Sequence, residues 1–171
     1  MSLPGRIARE NDPFDQVSED ECMDKQFYIR DYKEDDFSRV QKLWTLTGLG
    51  GSDRGDDKVV IARTLAHGGV LLIMEAVSSG ELIGTSWMTN DGRRSFLHHF
   101  AIAPIFQRKG FGKVLLQASL ERARPLGLQI KLEVHRDNLA AIALYQSHGF
   151  SYLGDYDTYI IRDLNSLTPL A

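Results

Sequence analysis

The hydrophobic period of the chain changes after residue 103, and this change restricts the fold more than any other feature. Three segments before it, residues 70–77, 82–89 and 95–103, are rich in apolar residues. Turn-forming residues that include Gly80 and Gly92 separate these segments, so the pattern predicts three antiparallel strands. Apolar residues then recur at helical spacing, at Phe111, Val114, Leu115 and Ala118. A helix is therefore expected directly after the strands.

The segment after this helix must form a strand parallel to the one before it. This strand is predicted over residues 129–134, and a crossover of this length returns the chain on the same side of the sheet. Further strands are predicted at residues 26–30, 150–153 and 158–162, and further helices from Asp35, over residues 56–66 and from Asn138 to just before Gly149. The predicted fold class is α+β: a mixed, mostly antiparallel sheet of six to seven strands, flanked by about four helices.

The length of 171 residues predicts one domain, which we place at residues 26–171. Residues 1–25 form a polar, acidic extension that contains Pro4 and Pro13. If ordered, it would pack on its own domain or on a neighbouring subunit, so a homodimer is an open alternative. The net charge of −3 argues against a nucleic-acid partner bound by general electrostatics.

The cysteine and hydropathy patterns argue against a zinc protein, a membrane protein and a secreted protein. Cys22 is the single cysteine, and no histidine or cysteine cluster has the spacing of a zinc site, so no metal is expected. No apolar run reaches the length of a membrane span, and the first residues lack the apolar core of a signal peptide. The sequence predicts a cytoplasmic protein with no membrane partner.

A glycine-rich segment between the third strand and the helix has the character of an anion site. It consists of Gln107, Arg108, Lys109, Gly110, Phe111, Gly112 and Lys113. Free N–H groups at a helix start attract phosphate, and glycines let the ligand approach the backbone. The segment is not a nucleotide P-loop, because Val114 stands where serine or threonine is needed. It is not a dinucleotide fingerprint either, because Leu115 replaces the third glycine.

The segment resembles the signature Q/R-x-x-G-x-G/A of the GNAT superfamily of N-acetyltransferases, which it matches at Gln107, Gly110 and Gly112. The resemblance covers about residues 27–163. Its other matches, in the order and spacing of the family, are residues 100–104, Val134, Asn138, Ala141, Leu144, Tyr145, Gly149 and Phe150. Several motifs at consistent spacing are far more specific than glycines alone.

The resemblance implies a GNAT-like sheet that is splayed at its central parallel pair, with acetyl-CoA as the cofactor. The pantetheine arm would lie between the parted strands and bond the backbone of Phe100, Ala101 and Ile102. The amides of residues 107–112 would hold the pyrophosphate, with Lys113 adding charge. Asn138 is either a helix N-cap or, as in the family, also a cofactor contact.

Two residues are candidates for moving protons. Tyr145 matches the family tyrosine that faces the CoA sulfur, which implies that it protonates the departing thiolate. His98 is the candidate base, on the strand that leads to the glycine-rich segment. His99 is expected on the opposite face if the strand is regular, although a bulge would change this, and a water chain is a further alternative. Phe96 stands where relatives carry histidine or glutamate and cannot act as a base.

The resulting prediction is direct transfer of an acetyl group from acetyl-CoA to a primary amine, without a covalent enzyme intermediate. The acceptor is either a small amine-containing metabolite or an amine of a protein or peptide. Its pocket is expected at residues 48–55 and 152–158, where Asp155 and Asp157 either attract a cationic amine or are solvated turn residues. The alternative function is a non-catalytic module that binds or senses acyl-CoA.

Overall fold

The computed structural model describes residues 27–50, 54–154 and 157–163. Its strands are β1 (Phe27–Asp31), β2 (Val70–Ala76), β3 (Leu82–Asn90), β4 (Arg94–Ile102) and β5 (Gln129–Leu132). Its α-helices are α1 (Phe37–Leu46), α2 (Lys58–Ala66), α3 (Phe111–Ala123) and α4 (Leu139–Ser147). The α+β class, the four helices and these five strands agree with the sequence prediction. The predicted extension at residues 1–25 lies outside the described residues.

The strands form one mixed sheet in the order β1-β2-β3-β4-β5. The first four strands pair antiparallel, and β5 lies parallel to β4, as the crossover through α3 predicts. The parallel pairing begins at Arg94 and its last pair is Leu97 with Leu132, whereas β4 continues to Ile102. The second half of β4 therefore has no strand beside it on the β5 side among the described residues.

The strands predicted at residues 150–153 and 158–162 are wrong. The structure describes these residues outside regular strand, so the described sheet has five strands and not six or seven. Tyr152 is 82% exposed and Tyr159 is 88% exposed. A strand is stabilised by the packing of its side chains, and these two aromatic rings have almost none. β-propensity alone was therefore a misleading signal here.

Helices cover both faces of the sheet. Val40, Leu43 and Trp44 recur at helical spacing on α1 and pack with Ile61 of α2 over one face. Helices α3 and α4 cover the other face, where Leu115, Leu116 and Tyr145 are among the buried residues. Capping side chains fix two helix starts, since Asp57 accepts from the N–H of Val60 at 2.8 Å and Asn138 accepts from that of Ala141 at 3.2 Å.

A buried ionic network joins the first strands to α1. Arg30 of β1 donates to both carboxylate oxygens of Asp36, at 2.6 and 2.7 Å, and to those of Glu75 in β2, at 2.7 and 3.1 Å. Arg39 of α1 contacts the same two carboxylates and donates to the carbonyl of Gly80 at 3.2 Å. Burial would raise the pKa of Asp36, but the hydrogen bonds from Arg30 and Arg39 hold it well below its usual range. The pKa of Glu75 is lowered for the same reason, because hydrogen bonds to its carboxylate outweigh the effect of burial.

Across the described ranges, none of the helices has the length and apolar character that crossing a membrane requires.

Candidate functional site

The glycine-rich segment lies between the end of β4 and the start of α3. A short turn, Pro104–Phe106, follows β4, and α3 begins at Phe111. The Phe111 side chain is only 6% exposed and packs edge-on against Phe27 at 5.6 Å and against Phe106 at 5.8 Å between ring centroids. The helix start is thus held in the core by an aromatic side chain while its backbone faces outward.

The backbone of this segment leaves a row of N–H groups without acceptors. Arg108 has φ 59° and Gly110 has φ 86°, so both adopt the left-handed conformation that glycine favours. The first helical donors are Lys113 and Val114, which both bond the carbonyl of Gly110. Within the described part of the chain, the N–H groups from Arg108 to Gly112 have no hydrogen-bond acceptor. Such a row at the positive end of a helix is suited to a phosphate group.

The side chains of the segment divide into positive charges and structural contacts. Arg108 and Lys113 are exposed, and neither has an ion-pair partner among the described residues. Lys109 instead lies 5.8 Å above the ring of Phe106. Gln107 donates from its side-chain amide to the carbonyl of Ile102 at 2.9 Å, so this signature residue ties the loop to the end of β4.

Gly112 lies where α3 starts near α4 and the end of β4. A Cβ at this position would lie 3.4 Å from Leu144 Cδ2 of α4 and 3.7 Å from Ile102 Cγ1, which is ordinary van der Waals contact. An alanine would therefore fit here without displacing its neighbours. The two glycines of the signature thus differ, because Gly110 permits a left-handed turn, whereas the packing around Gly112 does not require glycine.

The unpaired edge of β4 begins beside this loop. Ala103 donates its N–H to the carbonyl of Ile83 on β3 at 2.8 Å. Backbone groups alternate between the two edges of a strand, so those of Phe100 and Ile102 point away from β3. Ala101 faces β3 with its backbone and is buried by its side chain, which leaves Phe100 and Ile102 as the residues with outward backbone groups.

A β-bulge places both histidines of β4 on one face of the sheet. Ser86 pairs with Phe100 and Met88 pairs with Leu97, so Trp87 alone opposes His98 and His99. Both imidazole rings lie beside the Trp87 ring, at 6.0 and 5.4 Å between centroids. The strand is therefore not regular, and of the two alternatives in the sequence analysis the bulge holds, so His99 does not point to the opposite face.

His98 is exposed and bonded to a neighbouring hydroxyl. Its Nε2 lies 2.6 Å from the Oγ1 of Thr89, and its ring stacks near Phe96 at 6.0 Å. Partial desolvation of the imidazole lowers the pKa of His98, against a smaller opposing effect of Asp56. The ring is therefore neutral at physiological pH, which is the state that a general base requires.

His99 is buried and holds both ends of the loop that connects α1 to α2. Its Nε2 lies 3.1 Å from the carbonyl oxygen of Leu49 and 3.2 Å from the Oδ2 of Asp56. Two oxygen acceptors at one nitrogen require the proton to be there. Burial lowers the pKa of His99, while Asp56 raises it. The proton on Nε2 is shared between Leu49 and Asp56, and the imidazole ring lies 4.5 Å from the Trp44 ring between centroids. His99 is therefore suited to positioning the loop.

Tyr145 lies on the other face of β4, toward α3. It is 9% exposed and packs edge-on against Phe100 at 6.0 Å and Phe150 at 5.7 Å. Burial raises the pKa of Tyr145 to about 12, so its hydroxyl keeps its proton at neutral pH. The unpaired edge of β4 thus separates Tyr145 on one face from His98 on the other.

The structure brings only part of the predicted acceptor pocket together. Leu49, from the first predicted segment, contacts His99, whereas residues 51–53 lie outside the described ranges. In the second segment, Asp155 also lies outside them and Asp157 is exposed. Sequence reasoning missed Asp56 and Thr89 as partners of the histidines. The alternation of β3 could have identified Thr89. It lies two positions after Trp87, so its side chain is on the same face of β3, and β3 is the strand next to His98.

Among the described residues, no group of histidine, cysteine and acidic side chains could hold a metal ion. The donors gathered at the site are backbone amides and cations, and these suit an anion.

Comparisons with known proteins agree on one family. The model of the acetyltransferase (GNAT) family matches residues 27–150. The N-alpha-acetyltransferase RimI of Mycobacterium tuberculosis is 39% identical over 83 residues, which make up 46% of this chain and 51% of that protein. The match therefore spans about half the length of this curated relative.

Two solved structures show the same fold. An acetyltransferase of Trypanosoma brucei superposes with a TM-score of 0.63 at 18% identity, over 79% of this chain and 99% of that one. The enzyme AAC(6')-Iy, solved in complex with the bisubstrate analogue CoA-S-monomethyl-acetylneamine, superposes with a TM-score of 0.63 at 19% identity, over 80% of this chain and 99% of that one.

Proposed function

The chain belongs to the acetyltransferase (GNAT) family, and from this premise we propose that it transfers an acetyl group from acetyl-CoA to a primary amine. The reaction is direct, within a complex of the protein, acetyl-CoA and the acceptor. The observation that carries the proposal is the row of unbonded N–H groups from Arg108 to Gly112, which lies next to the unpaired edge of β4.

The residues of this region fit the parts of CoA. The N–H groups of residues 108–112 bind the pyrophosphate, assisted by the free cations Arg108 and Lys113. The backbone of Phe100 and Ile102 bonds the pantetheine arm, as an edge strand bonds an added strand. The pairing of β4 with β5 ends at Leu97 with Leu132, and we infer that the two strands part beyond this pair to make room for the arm.

Acetyl-CoA supplies the acetyl group as a thioester, and its thiol is the leaving group. The protein must take a proton from the amine, because an alkylammonium with a pKa of roughly 10 is not a nucleophile at neutral pH. His98, neutral and exposed, accepts this proton directly or through water. The N–H groups of the β4 edge that face the thioester polarise its carbonyl.

Tyr145 stabilises the departing sulfur. Its hydroxyl remains protonated because burial raises its pKa to about 12. An ordinary thiol has a pKa of about 8.5, so complete transfer of the proton from this hydroxyl to a thiolate is uphill. We therefore infer that Tyr145 acts mainly by donating a hydrogen bond to the developing thiolate, which refines the expectation that it protonates the sulfur. The thiolate then takes up the second proton that the nitrogen loses as the amide forms, so the products are the amide and the free thiol.

The name of the RimI relative describes acetylation of an alpha-amine, and this supports an α-amine as acceptor. Both a small metabolite and the first residue of a peptide present such a group. His99, Leu49 and Asp56 position one wall of the acceptor side, since the loop between α1 and α2 is fixed to the bulge through them.

The test measures release of free CoA thiol from acetyl-CoA with a panel of α-amines and peptides. The proposal expects acceptor-dependent release together with the acetylated amine, detected by mass spectrometry. The alternative function is a non-catalytic module that binds acyl-CoA. Tight binding of acetyl-CoA by calorimetry, with no amine stimulating release above the background in water, would favour that alternative. Absence of binding would overturn both.

A further inference from the structure

A surface cleft of about 210 Å³ lies where the end of α2 approaches β3. It is lined by Arg63, Thr64, His67, Thr89 and Asn90. Pockets for drug-sized ligands typically measure roughly 300–1,000 Å³. This cleft is smaller, so it fits one compact polar group, such as a small amine or the first residue of a peptide.

The cleft is directly connected to His98. Thr89 lines the cleft, and its hydroxyl lies 2.6 Å from the Nε2 of His98. Thr64 on the helical wall accepts a hydrogen bond from the Nε1 of Trp87 at 3.2 Å, so this wall is fixed to the same strand. A ligand in the cleft is thus separated from the candidate base by a single hydroxyl group.

Arg63 gives the lining of the cleft a positive charge. Helix α2 contains Lys58 and Arg63 but no aspartate or glutamate. Across the ranges that the structure describes, Arg63 has no carboxylate partner, and its side chain lines the cleft. The guanidinium group has a planar set of donors that matches a carboxylate.

The other polar groups of the lining already have partners within the protein. His67 contacts the carbonyl of Arg63 through Nδ1 at 2.7 Å, and Asn90 donates to the carbonyl of Gly68 at 3.1 Å. Thr64 donates to the carbonyl of Ile61 at 2.8 Å. These bonds shape the wall and leave the guanidinium of Arg63 as its unused charged donor.

We propose that this cleft binds the acceptor, and that Arg63 recognises a carboxylate on it while the amine lies toward His98. The inference rests on the proposed function, because it names the class of amine that is acetylated. The carboxylate comes either from a free amino acid or from an acidic side chain in the first residue of a peptide. Both place an anion within one residue of the reacting amine.

The experiment compares kcat/KM for two matched pairs of acceptors. One pair is glycine and glycinamide, and the other is a dipeptide amide that begins with glutamate and its counterpart that begins with glutamine. The members of each pair differ mainly in a carboxylate against an amide. The expected result is a preference for the charged member of one pair, and the pair that shows it identifies the source of the carboxylate.

The variant Arg63→Gln tests the residue, because it removes the charge from an exposed helix position. The preference for the charged acceptor is expected to fall on the order of tenfold or more, as for the loss of one hydrogen bond to a charged group. Arg63→Lys should keep part of the preference, since it retains the charge without the planar fork. Lys42→Gln, an exposed cation on α1, serves as the control and should leave the preference unchanged.

Calorimetric titration of the same acceptors into the protein saturated with CoA measures binding without turnover. If the neutral members are used as well as the charged ones, or if the preference survives in Arg63→Gln, the cleft proposal is wrong while the acetyltransferase function stands. If a charged acceptor binds through Arg63 but no thiol is released, the anion site stands and the proposed function fails. If neither binding nor release occurs, both are overturned.

Discussion

At the scale of single residues, Tyr145 and His98 carry the chemistry that the proposal requires, and each has a different electrostatic environment. Tyr145 is buried among aromatic rings, and its raised pKa keeps the hydroxyl neutral. His98 is exposed at a bulge, and its lowered pKa keeps the imidazole neutral as well. Each side chain is therefore in the protonation state that its proposed role needs at neutral pH.

The variant Tyr145→Phe tests the role of the hydroxyl. We expect kcat to fall on the order of 10²-fold, in the range of lost acid or hydrogen-bond catalysis, with little change in acetyl-CoA affinity. Steady-state kinetics and calorimetry measure the two quantities. Tyr159→Phe is the control, since that ring is 88% exposed. Equal turnover by Tyr145→Phe and the wild type would remove the role.

The pH dependence of kcat tests His98. Because the pKa of His98 is lowered, activity should persist below its ordinary value of about 6.5 and decline only at more acidic pH. His98→Gln should lower kcat on the order of 10²-fold and abolish this acidic limb. An unchanged limb in His98→Gln would assign the proton transfer to another group. His99→Gln is the comparison, and it should instead raise the acceptor KM, because His99 holds the loop.

At the scale of elements, the start of α3 is defined by two left-handed residues, Arg108 and Gly110. Arginine is unusual in this conformation, and such strain is typically found at binding sites. The loop is kept in place from behind by Phe111 and by the bond from Gln107 to Ile102. The rigid backing allows the N–H groups to remain directed outward before any ligand binds.

Gly110→Ala tests whether this backbone conformation creates the cofactor site. A side chain at φ 86° costs about 1 kcal/mol of stability and favours a change in the loop. We expect the Kd for acetyl-CoA to rise at least tenfold. Gly127→Ala is a matched control, because Gly127 has φ 65° at the far end of α3, with open space around it. It should show a similar loss of stability by thermal unfolding but an unchanged Kd.

Most elements could be predicted from the sequence, because apolar segments bounded by turn residues mark the buried strands and helical spacing marks the buried face of a helix. The positions of β2, β3, β4 and α3 follow from this pattern. The two strands predicted after Gly149 were wrong, because their apolar residues beyond Phe150 are exposed and the sequence alone does not reveal what covers a segment. The face of the sheet on which His99 lies could not be decided from the sequence either. That face depends on which residue of β3 is opposite His99.

The candidate site was predictable in its backbone but not in its side-chain partners. The signature of Gln107, Gly110 and Gly112 located the loop, since glycine requirements are local. Asp56 was missed because its contact with His99 joins residues that are distant in the chain. Thr89 is only nine positions from His98, and the alternation of β3 could have identified it. The cofactor-binding role of each loop residue stays a prediction that the variants above test.

At the scale of the whole molecule, the network of Arg30, Asp36, Arg39 and Glu75 connects the sheet to the helix that covers it. The side chains of the two carboxylates are only 5% and 4% exposed. Buried charges of this kind are stable only when every partner is present. The packing of α1 on the sheet therefore depends on the ionisation of Asp36 and Glu75.

Acid should destabilise the protein through this network. Because the pKa of each carboxyl is lowered in the folded state, the stabilisation is complete above the unfolded-state values of about 4 and is lost as pH falls through the lower folded-state values. Asp36→Asn should reduce the free energy of unfolding by about 2–3 kcal/mol at pH 7 and flatten its dependence below pH 5. Denaturant titrations at several pH values measure both effects.

Asp31→Asn is the control for this prediction. Asp31 pairs with Arg122 at 2.7 Å, but both side chains are more than half exposed, at 61% and 52%. An exposed pair contributes roughly 0–1 kcal/mol, so its loss should be small. A comparable loss in both variants would mean that burial of the network does not matter.

The bulge in β4 makes this strand one residue longer than the sheet needs. Leu97 and Phe100 would keep their present faces if either His98 or His99 were deleted, because a regular alternation would then connect them. A deletion elsewhere in a strand normally inverts the residues that follow it. Here the extra residue places two imidazoles on the same face of the sheet. His98 lies beside the exposed cleft, and His99 contacts the buried side of the loop. Deletion of His98 would therefore remove the candidate base while the alternation of the strand is kept, so the proposed activity would be lost in a protein that still folds.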